Sequence, residues 1–295
     1  MNKADKDFLL DGMTWSFSRV NAYSTCPRMF YLEYLQQADK DSNAFAEWGS
    51  LCHSLFERYY THKLEFYELS AAYESEYDEA VPTPFPFAKM GEGYYKNGKE
   101  FFDMFDGDYA DYEVVGAEIK VTLEIQGRPF IGFIDLLLRD KDGHFKVVDF
   151  KSKGSFKSDE EKKHYALQLY LYARWVFDNY GEYPIEMEFN MFRARQHEVI
   201  KFDLHEMQAA EQWFIDTINA MYADEQFLDK VELAGEDHGD FFCDTLCSVG
   251  NLCPRSKKGE APDAGRKGAY TKGQRKTWGS KLPVYHKVPK RRRDR

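Results

Sequence analysis

The sequence predicts an α/β fold in which helices flank a central mixed β-sheet. Two observations support this prediction. Residues 113 to 150 contain apolar segments with the alternation or the continuous hydrophobicity of strands. Segments with helical periodicity precede and follow them, and strand patterns return after the next helix. Strands that alternate with helices are typical of a sheet covered by helices.

The N-terminal region, residues 15 to 35, has the pattern of two short helices. Ser16 or Ser18 can cap the first helix. Pro27 fits the first turn of the second, because its missing N–H has no helical partner there. Cys26 lies at the joint between them. An isolated cysteine is usually a small buried apolar residue, and a metal thiolate is the alternative if further ligands lie elsewhere in the chain.

Residues 45 to 60 have the periodicity of an amphipathic helix. His53 lies beside its apolar stripe and one turn after Gly49, where the missing side chain leaves the imidazole room to meet another element. A lone histidine at such a boundary is usually only hydrogen-bonded, and metal ligation is the alternative. Prolines at 81–87 interrupt the helical region that follows, so residues 45–108 are predicted to be a helical insertion. The stripe comprises Trp48, Leu51, Cys52, Leu55, Phe56 and Tyr59.

The first strand begins at Glu113 and has alternating apolar and polar residues. Such a strand is half exposed and is expected near an edge of the sheet. Glu118 lies on its polar side. We expect it to be a solvated strand residue, although its carboxylate could also reach a metal site.

Residues 131 to 153 contain two apolar segments separated by Asp-Gly at 142–143, which predicts a β-hairpin. Each segment carries an aspartate where a core residue would be expected, Asp135 in the first and Asp149 in the second. A buried carboxylate is costly unless it is paired or bound to a cation. Because side chains alternate along a strand, Asp149 and Lys151 are predicted to share a face. The hairpin thus collects two carboxylates and an ammonium group, a combination that suits a divalent metal.

Ser158 and Glu161 predict a capping box at the start of a helix that runs to about Asn179. Gln168 and Tyr172 are four residues apart on this helix, so their side chains are neighbours. Strands are predicted at 185–193 and 198–202, followed by a helix from about Leu204 that Asp203 and Glu206 can cap. Three cysteines then occur within eleven residues, a poor pattern for a core and a better one for a soft metal.

The formal net charge is −10 and is unevenly distributed. From Arg255 onward the chain has 15 Lys and Arg against 3 Asp and Glu, a net charge of +12, which leaves −22 on the preceding residues. The acidic body argues mildly against broad electrostatic binding of nucleic acid, and the basic tail argues for it. No apolar run is long enough to span a bilayer, and the N-terminus lacks the apolar core of a signal peptide. A cytoplasmic protein without membrane association is therefore expected.

Several short motifs occur in a fixed order along the chain. G-x-x-D at 132–135 followed by D-x-K at 149–151 resembles the signature of the PD-(D/E)XK nuclease superfamily. G-x-x-x-H ending at His53 and Q-x-x-x-Y at 168–172 resemble motifs of the RecB-type nucleases in that superfamily. One cysteine before these motifs and three after them resemble the arrangement in AddB and the CRISPR-associated exonucleases. The resemblance covers residues 15 to 254.

The resemblance implies a restriction-endonuclease-like core and a role for each matching residue. The catalytic residues would be His53, Asp135, Asp149 and Lys151. The ligands of Mg²⁺ or Mn²⁺ would be His53, Asp135, Asp149 and the main-chain carbonyl of Phe150. Lys151 would position or help to activate the attacking water. Gln168 and Tyr172 would contact the nucleic acid strand.

The same resemblance assigns a [4Fe-4S] cluster to four cysteines and makes it a staple between the N- and C-terminal segments. The ligands would be Cys26, Cys243, Cys247 and Cys253. Three residues separate Cys243 from Cys247, where the resemblance leads us to expect two. Zinc also accepts four thiolates and is the alternative metal.

The implied function is that of a metal-dependent DNA exonuclease in recombination, end processing or CRISPR-like spacer handling, acting on DNA that is single-stranded or has free ends. A structure-specific or flap endonuclease and a non-catalytic DNA-binding assembly subunit are the alternatives. The chain has no G-x-x-x-x-G-K-[ST] motif, so it is not expected to be a helicase itself. A separate helicase, annealing or CRISPR-type protein is a candidate partner.

These predictions divide the chain into five regions. The last is a basic tail that is expected to be disordered when free and able to hold nucleic acid. The regions are N-terminal helices with the first cysteine (1–44), a helical region with the histidine motif (45–112), the nuclease core (113–232), the cysteine cluster (233–256) and the tail (257–295).

Overall fold

The computed structural model describes residues 1–225 and 241–258 of the chain. Its centre is a five-stranded mixed sheet in which the strands lie in sequence order. Three of the four pairings are antiparallel, and the third strand pairs with the fourth in parallel. The strands are β1 (Glu113–Ile125), β2 (Arg128–Arg139), β3 (Phe145–Phe150), β4 (Glu186–Met191) and β5 (Gln196–Lys201).

Eight α-helices surround this sheet in the described part of the chain. They are α1 (Lys3–Asp11), α2 (Phe17–Thr25), α3 (Pro27–Phe30), α4 (Ala44–Tyr60), α5 (Leu69–Ala80), α6 (Ala88–Met104), α7 (Asp159–Tyr180) and α8 (Leu204–Ala223). A π-helical turn, Tyr31–Leu35, continues α3, and a second one, Phe242–Leu246, lies in the cysteine-rich segment. Short 3-10 turns lie at Phe66–Glu68 and Gly250–Leu252.

The parallel pairing of β3 and β4 requires a crossover, and α7 provides it. The helix begins where the Ser158 side chain accepts a hydrogen bond from the Glu161 backbone N–H, and it ends at Gly181, whose φ is +80°. A glycine at that position ends the helix without the steric penalty of a β-carbon. Every residue of β3 is buried, as is expected for a strand covered on both faces.

The sheet separates two hydrophobic clusters. The larger cluster packs α1, α2, α7 and α8 against one face, and the smaller cluster packs α4, α5 and α6 against the other. Val147 and Val148, which are neighbours on β3, belong to different clusters because successive side chains point to opposite faces. The helical layer formed by α4, α5 and α6 therefore lies over the face of the sheet that contains Val148.

A buried lysine attaches α1 to the end of α8. Lys6 is 1% exposed, and its ammonium donates hydrogen bonds to the backbone carbonyls of Met221, Tyr222 and Asp224 at 3.1, 2.7 and 2.8 Å. Burial lowers the pKa of Lys6. Three acceptors satisfy the three donors of the ammonium group, which is why the charge can be buried here.

The predicted α/β fold with a mixed sheet flanked by helices is confirmed, and so are most of the predicted elements. The hairpin, the edge position of β1, and the helices that correspond to α2, α4, α7 and α8 all form as expected. Ser16 caps α2 and Asp203 caps α8. Helix α1 was not predicted. Most of the basic tail and residues 226–240 lie outside the described residues.

No helix in residues 1–225 and 241–258 has both the length and the apolar character needed to cross a bilayer.

Candidate functional site

His53, Glu118 and Asp135 converge beside the β1–β2 ladder. One ring nitrogen of His53 and one oxygen of each carboxylate all lie within 4.8 Å of one another. His53 Nδ1 is 3.6 Å from Asp135 Oδ2. Ligand atoms about 2.0–2.2 Å from a metal ion lie roughly 3–4 Å from each other, so a small contraction of this group would accommodate an ion.

Aromatic packing positions the helix that carries His53. The Phe56 ring stacks on the Phe150 ring with centroids 4.3 Å apart and planes 13° apart, which fixes α4 against the end of β3. The imidazole meets Phe150 edge-on at 6.2 Å. Gly49 lies against the Ser152 side chain, and a β-carbon there would be 3.5 Å from the Ser152 hydroxyl, an ordinary contact. The absence of a side chain at Gly49 is therefore not what makes room for the imidazole.

Glu118 is opposite Asp135 across the β1–β2 ladder, between pairs in regular register. Its backbone has φ +50°, a left-handed conformation that is uncommon for a residue with a side chain. Conformations of this kind occur in turns and also cluster at active sites. Contrary to the prediction, Glu118 is not a solvated strand residue. It is partly buried and lies with His53 and Asp135.

Asp149 and Lys151 form an ion pair at the end of β3, with Oδ2 and Nζ 2.7 Å apart. Their side chains share a face, as the alternation predicts. The Lys151 backbone N–H donates to the Asn190 carbonyl at 2.8 Å, and the Phe150 N–H donates to Asp135 Oδ2 at 2.6 Å. Asp149 is 4% exposed and lies next to the three-residue group without belonging to it.

The ionisable groups of the site perturb one another. Burial, with a contribution from the charge of Asp135, raises the pKa of Glu118 to about 7. Burial also raises the pKa of Asp149, against the opposing effect of Lys151. Burial acts to lower the pKa of His53 and of Lys151, but the neighbouring carboxylates outweigh it and both pKa values are raised. The site therefore concentrates carboxylates whose ionisation a bound cation would favour.

Gln168 and Tyr172 brace α7 against β2. Gln168 Nε2 donates to the Tyr172 hydroxyl at 2.7 Å, and the Phe133 backbone N–H donates to the same oxygen at 3.4 Å. Tyr172 is 3% exposed. The two residues are adjacent as predicted, close to the strand that carries Asp135, whereas their contact with nucleic acid remains a prediction.

A cleft of about 350 Å³ opens beside Lys151 between α7 and the N-terminal helices. The Lys151 ammonium forms part of its wall and lies 5.5 Å from the centre of the Tyr165 ring. Aromatic and amide side chains make up much of the remaining wall. The lining residues are Phe17, Ser18, Asn21, Ala22, Met29, Glu33, Tyr34, Lys151, Tyr165 and Gln168.

A family model described as "PD-(D/E)XK nuclease superfamily" matches residues 14–254. The chain belongs to this superfamily. Its fold, with a five-stranded mixed sheet between helices, is consistent with the restriction-endonuclease-like core of such nucleases.

One solved structure similar to this nuclease-superfamily chain comes from Eubacterium rectale and is named "Putative exonuclease". The two are 15% identical, and the match covers 75% of this chain and 83% of the other, with a TM-score of 0.47. No curated protein matches the chain.

Membership of the PD-(D/E)XK superfamily implies hydrolysis of phosphodiester bonds, for which its nucleases generally use divalent metals such as Mg²⁺ or Mn²⁺. His53, Glu118 and Asp135 offer one imidazole nitrogen and two carboxylate oxygens, a donor set that fits such an ion. Of the predicted ligands, His53 and Asp135 belong to this group and Asp149 lies beside it. The role of the Phe150 carbonyl remains a prediction.

The four predicted cluster cysteines line one cavity, although they come from opposite ends of the chain. Cys26 precedes α3, and Cys243, Cys247 and Cys253 follow α8. Burial raises the pKa of the Cys247 thiol, so a thiolate there would need a cation to stabilise it. Four sulfur donors around one cavity fit a soft metal centre.

Backbone contacts join the two segments that carry these cysteines. The Asp41 N–H donates to the Ser248 carbonyl at 2.7 Å, and an Arg28 guanidinium nitrogen donates to the Leu252 carbonyl at 3.3 Å. Leu32 packs with Cys247 in a small hydrophobic cluster of its own. The N-terminal and C-terminal segments are thus held together around the cysteine cavity.

Proposed function

We propose that this protein is a metal-dependent DNA exonuclease. The observation that carries the proposal is the convergence of His53, Glu118 and Asp135 next to the Asp149–Lys151 pair, in a chain of the PD-(D/E)XK superfamily. These residues come from α4, β1, β2 and β3. Four elements thus contribute polar side chains to one site. A purely structural role would not require polar side chains there.

In the proposed mechanism, His53, Glu118 and Asp135 would hold a divalent ion, and Asp149 and the Phe150 carbonyl would complete the set. A bound Mg²⁺ or Mn²⁺ would lower the pKa of an attacking water and neutralise charge on the phosphate. Lys151 stays protonated beside Asp149, because the carboxylates raise its pKa. It therefore orients the water and offsets phosphate charge, and does not accept a proton in this state.

The cleft beside Lys151 supports a single strand as substrate. A space of about 350 Å³ is at the lower end of the range for pockets that bind small molecules. It can hold a group of the size of one nucleotide, whereas a duplex is far wider. Bases can stack on Tyr34 and Tyr165 in its wall. A strand that enters such a cleft must be unpaired, which favours attack at free or frayed ends.

We also propose that the cysteine cavity holds a [4Fe-4S] cluster, with zinc as the alternative. Cys26, Cys243, Cys247 and Cys253 would be its ligands. The lining of this cavity includes none of His53, Glu118 and Asp135, so the cluster would have a structural task and would stabilise the contact between the two ends of the fold. The visible spectrum of anaerobically purified protein tests this assignment, since a colourless protein that contains zinc would contradict it.

The proposed activity is tested by incubating purified protein and Mn²⁺ with three DNA substrates. These are end-labelled single strands, end-labelled duplexes and covalently closed circles. We expect digestion of the single strands from their ends and no cutting of the circles. Cutting of closed circles would establish an endonuclease instead. No cleavage with any divalent metal would contradict the assignment as an enzyme and leave a DNA-binding assembly subunit.

A further inference from the structure

We propose that Arg193 binds a phosphate of the substrate strand next to the catalytic centre. This inference rests on the proposed nuclease function and adds a positioning residue to it. Arg193 lies in the turn between β4 and β5. No sequence motif marks this arginine.

The topology of the sheet brings Arg193 to the catalytic edge. Because β3 and β4 are parallel, their carboxyl ends lie together. The Lys151 backbone N–H donates a hydrogen bond to the Asn190 carbonyl at this edge. Arg193 follows Asn190 by three residues. The ring of the intervening Phe192 lies 6.4 Å from the His53 imidazole.

The guanidinium also reaches the loop that follows Lys151. Its Nη2 atom lies 2.9 Å from the position that a β-carbon on Gly154 would occupy. A β-carbon at residue 154 would therefore require the guanidinium, the far end of a flexible side chain, to shift.

Arg193 has hydrogen-bond donors for which the described residues provide no acceptor. Nη1 donates to the Tyr94 hydroxyl at 2.9 Å, and the guanidinium carbon lies 4.9 Å from the centre of the Tyr94 ring. Nε is buried, and no acceptor for it lies among the described residues. Because Nε is enclosed, a ligand cannot reach it in this conformation, and Nη2, which has no acceptor among the described residues, is the donor open to a phosphate.

Within the part of the chain that the structure describes, the charge of Arg193 is also unpaired, in contrast to those of two neighbouring lysines. Lys153 is 2.7 Å from a Glu161 oxygen, and Lys162 pairs with Glu198. No carboxylate in residues 1–225 and 241–258 lies within ion-pair distance of Arg193. Residues 1–254 have a formal net charge of −22. An arginine at the catalytic edge that pairs with no carboxylate of the described residues is therefore suited to bind an anion of the substrate. A phosphodiester provides the oxygen acceptors that guanidinium groups prefer.

Arg195 offers a matched control in the same turn. It has the same charge and is exposed, and its Nη1 lies 3.3 Å from the Met104 sulfur. Arg193→Gln and Arg195→Gln therefore remove the same charge two residues apart, and only the first removes a group that faces the loop after Lys151. Gly154→Ala supplies a third variant, which displaces the guanidinium and keeps its charge.

The test measures binding of a fluorescein-labelled oligo(dT) single strand in EDTA, so that no cleavage occurs, over a series of NaCl concentrations. We expect Arg193→Gln to weaken binding about 10-fold. We also expect it to reduce the slope of log K against log salt by about 0.7, the value for one phosphate contact on a single strand. Gly154→Ala should weaken binding as well, and Arg195→Gln should change neither quantity by more than a small amount. Tm values verify that each variant is folded.

Two outcomes would overturn the proposal, and they have different meanings. If wild-type protein binds and cleaves DNA but Arg193→Gln matches Arg195→Gln in affinity and salt slope, Arg193 only anchors the turn to Tyr94. If wild-type protein neither binds nor cleaves the strand, the proposed nuclease function fails together with this inference. If Arg193→Gln is unfolded, Arg193→Met decides, because it keeps the aliphatic part of the side chain and removes the charge, and unchanged affinity in that variant would exclude a phosphate contact.

Discussion

The ring of Tyr172 occupies the space next to Gly132 that any larger residue at that position would need. A β-carbon on Gly132 would lie 2.6 Å from a ring carbon of Tyr172 and 3.0 Å from its hydroxyl oxygen. The G-x-x-D motif thus has a structural meaning. Its glycine admits the tyrosine of α7, and its aspartate, three residues later, faces His53.

Gly132→Ala is predicted to push Tyr172 away from β2 and to break the hydrogen bond between the Tyr172 hydroxyl and Gln168. Overpacking of this kind costs about 1–3 kcal/mol of stability. Displacement of groups beside the catalytic centre should lower kcat/KM by roughly 10- to 100-fold. Denaturant unfolding and cleavage kinetics measure the two effects. Gly93→Ala is the control, because no atom lies within 4 Å of a β-carbon there, and it should be neutral or stabilising.

Lys151→Ala is predicted to abolish cleavage and largely spare the fold. The ammonium lies 2.7 Å from Asp149 and lines the cleft, so its removal deletes the charge that offsets the phosphate. A loss of at least about 1000-fold in kcat is expected, while Mn²⁺ binding persists. Lys153→Ala is the control, because Lys153 pairs with Glu161 and is not in the proposed machinery. Activity close to wild type in Lys151→Ala would refute the role of this residue.

Glu118→Gln is predicted to have opposite effects on stability with and without metal. The folded state raises the pKa of Glu118 from 4.5 to about 7, so folded protein binds more protons than unfolded protein between these pH values. Metal-free wild type should therefore lose stability as the pH rises from about 4.5 to 7. Glu118→Gln should lack this loss and show a higher metal-free Tm at pH 8, by roughly 2–4 °C for about 1 kcal/mol.

With Mn²⁺ at pH 8, the wild type should have a higher Tm than Glu118→Gln. The ionised Glu118 carboxylate binds the ion, and binding stabilises the folded state. Differential scanning fluorimetry measures the Tm of each protein under four conditions, at pH 4.5 and pH 8 and with and without Mn²⁺. Glu124→Gln is the control on the exposed side of the same strand. Equal Mn²⁺ stabilisation of Glu118→Gln and wild type would exclude Glu118 as a ligand.

The elements that sequence predicts well are those whose signals are local. The Asp-Gly turn defines the β2–β3 hairpin, Ser158 begins α7, and the alternation of side chains places Asp149 and Lys151 on one face. Residue type and the family resemblance grouped the four cysteines, and the structure places them around one cavity, where the metal centre remains a prediction. These are properties of neighbouring residues or of residue type.

Glu118 could not be assigned in the same way. Its place in the group with His53 and Asp135 depends on its position opposite Asp135, on a left-handed backbone, and on α4 packing over β1. A strand pattern alone assigns it to the polar side and contains no information about the helix above. Helix α1 has a related explanation, since it packs through Leu10 and the buried Lys6, and no pattern predicts a buried lysine.

Cys247→Ser is predicted to lower stability before it changes the chemistry at His53. Cys247 is 8% exposed and packs with Leu32, so loss of its ligand bond would loosen the contact between the two chain ends. The Tm should fall by roughly 5 °C or more, and any visible absorption should decrease. Mn²⁺ affinity, measured by calorimetry below the new Tm, should remain near the wild-type value because the ligands at His53 are elsewhere.

Cys52→Ala is the control for this prediction. Cys52 is fully buried in α4 and is not part of the cysteine cavity, so its truncation costs packing but removes no ligand. It should keep any visible absorption of the wild type and lose only about 1 kcal/mol of stability. If Cys247→Ser behaves like Cys52→Ala in both Tm and absorption, Cys247 is only a buried apolar residue. The cysteine cavity then does not hold a metal centre through this thiolate.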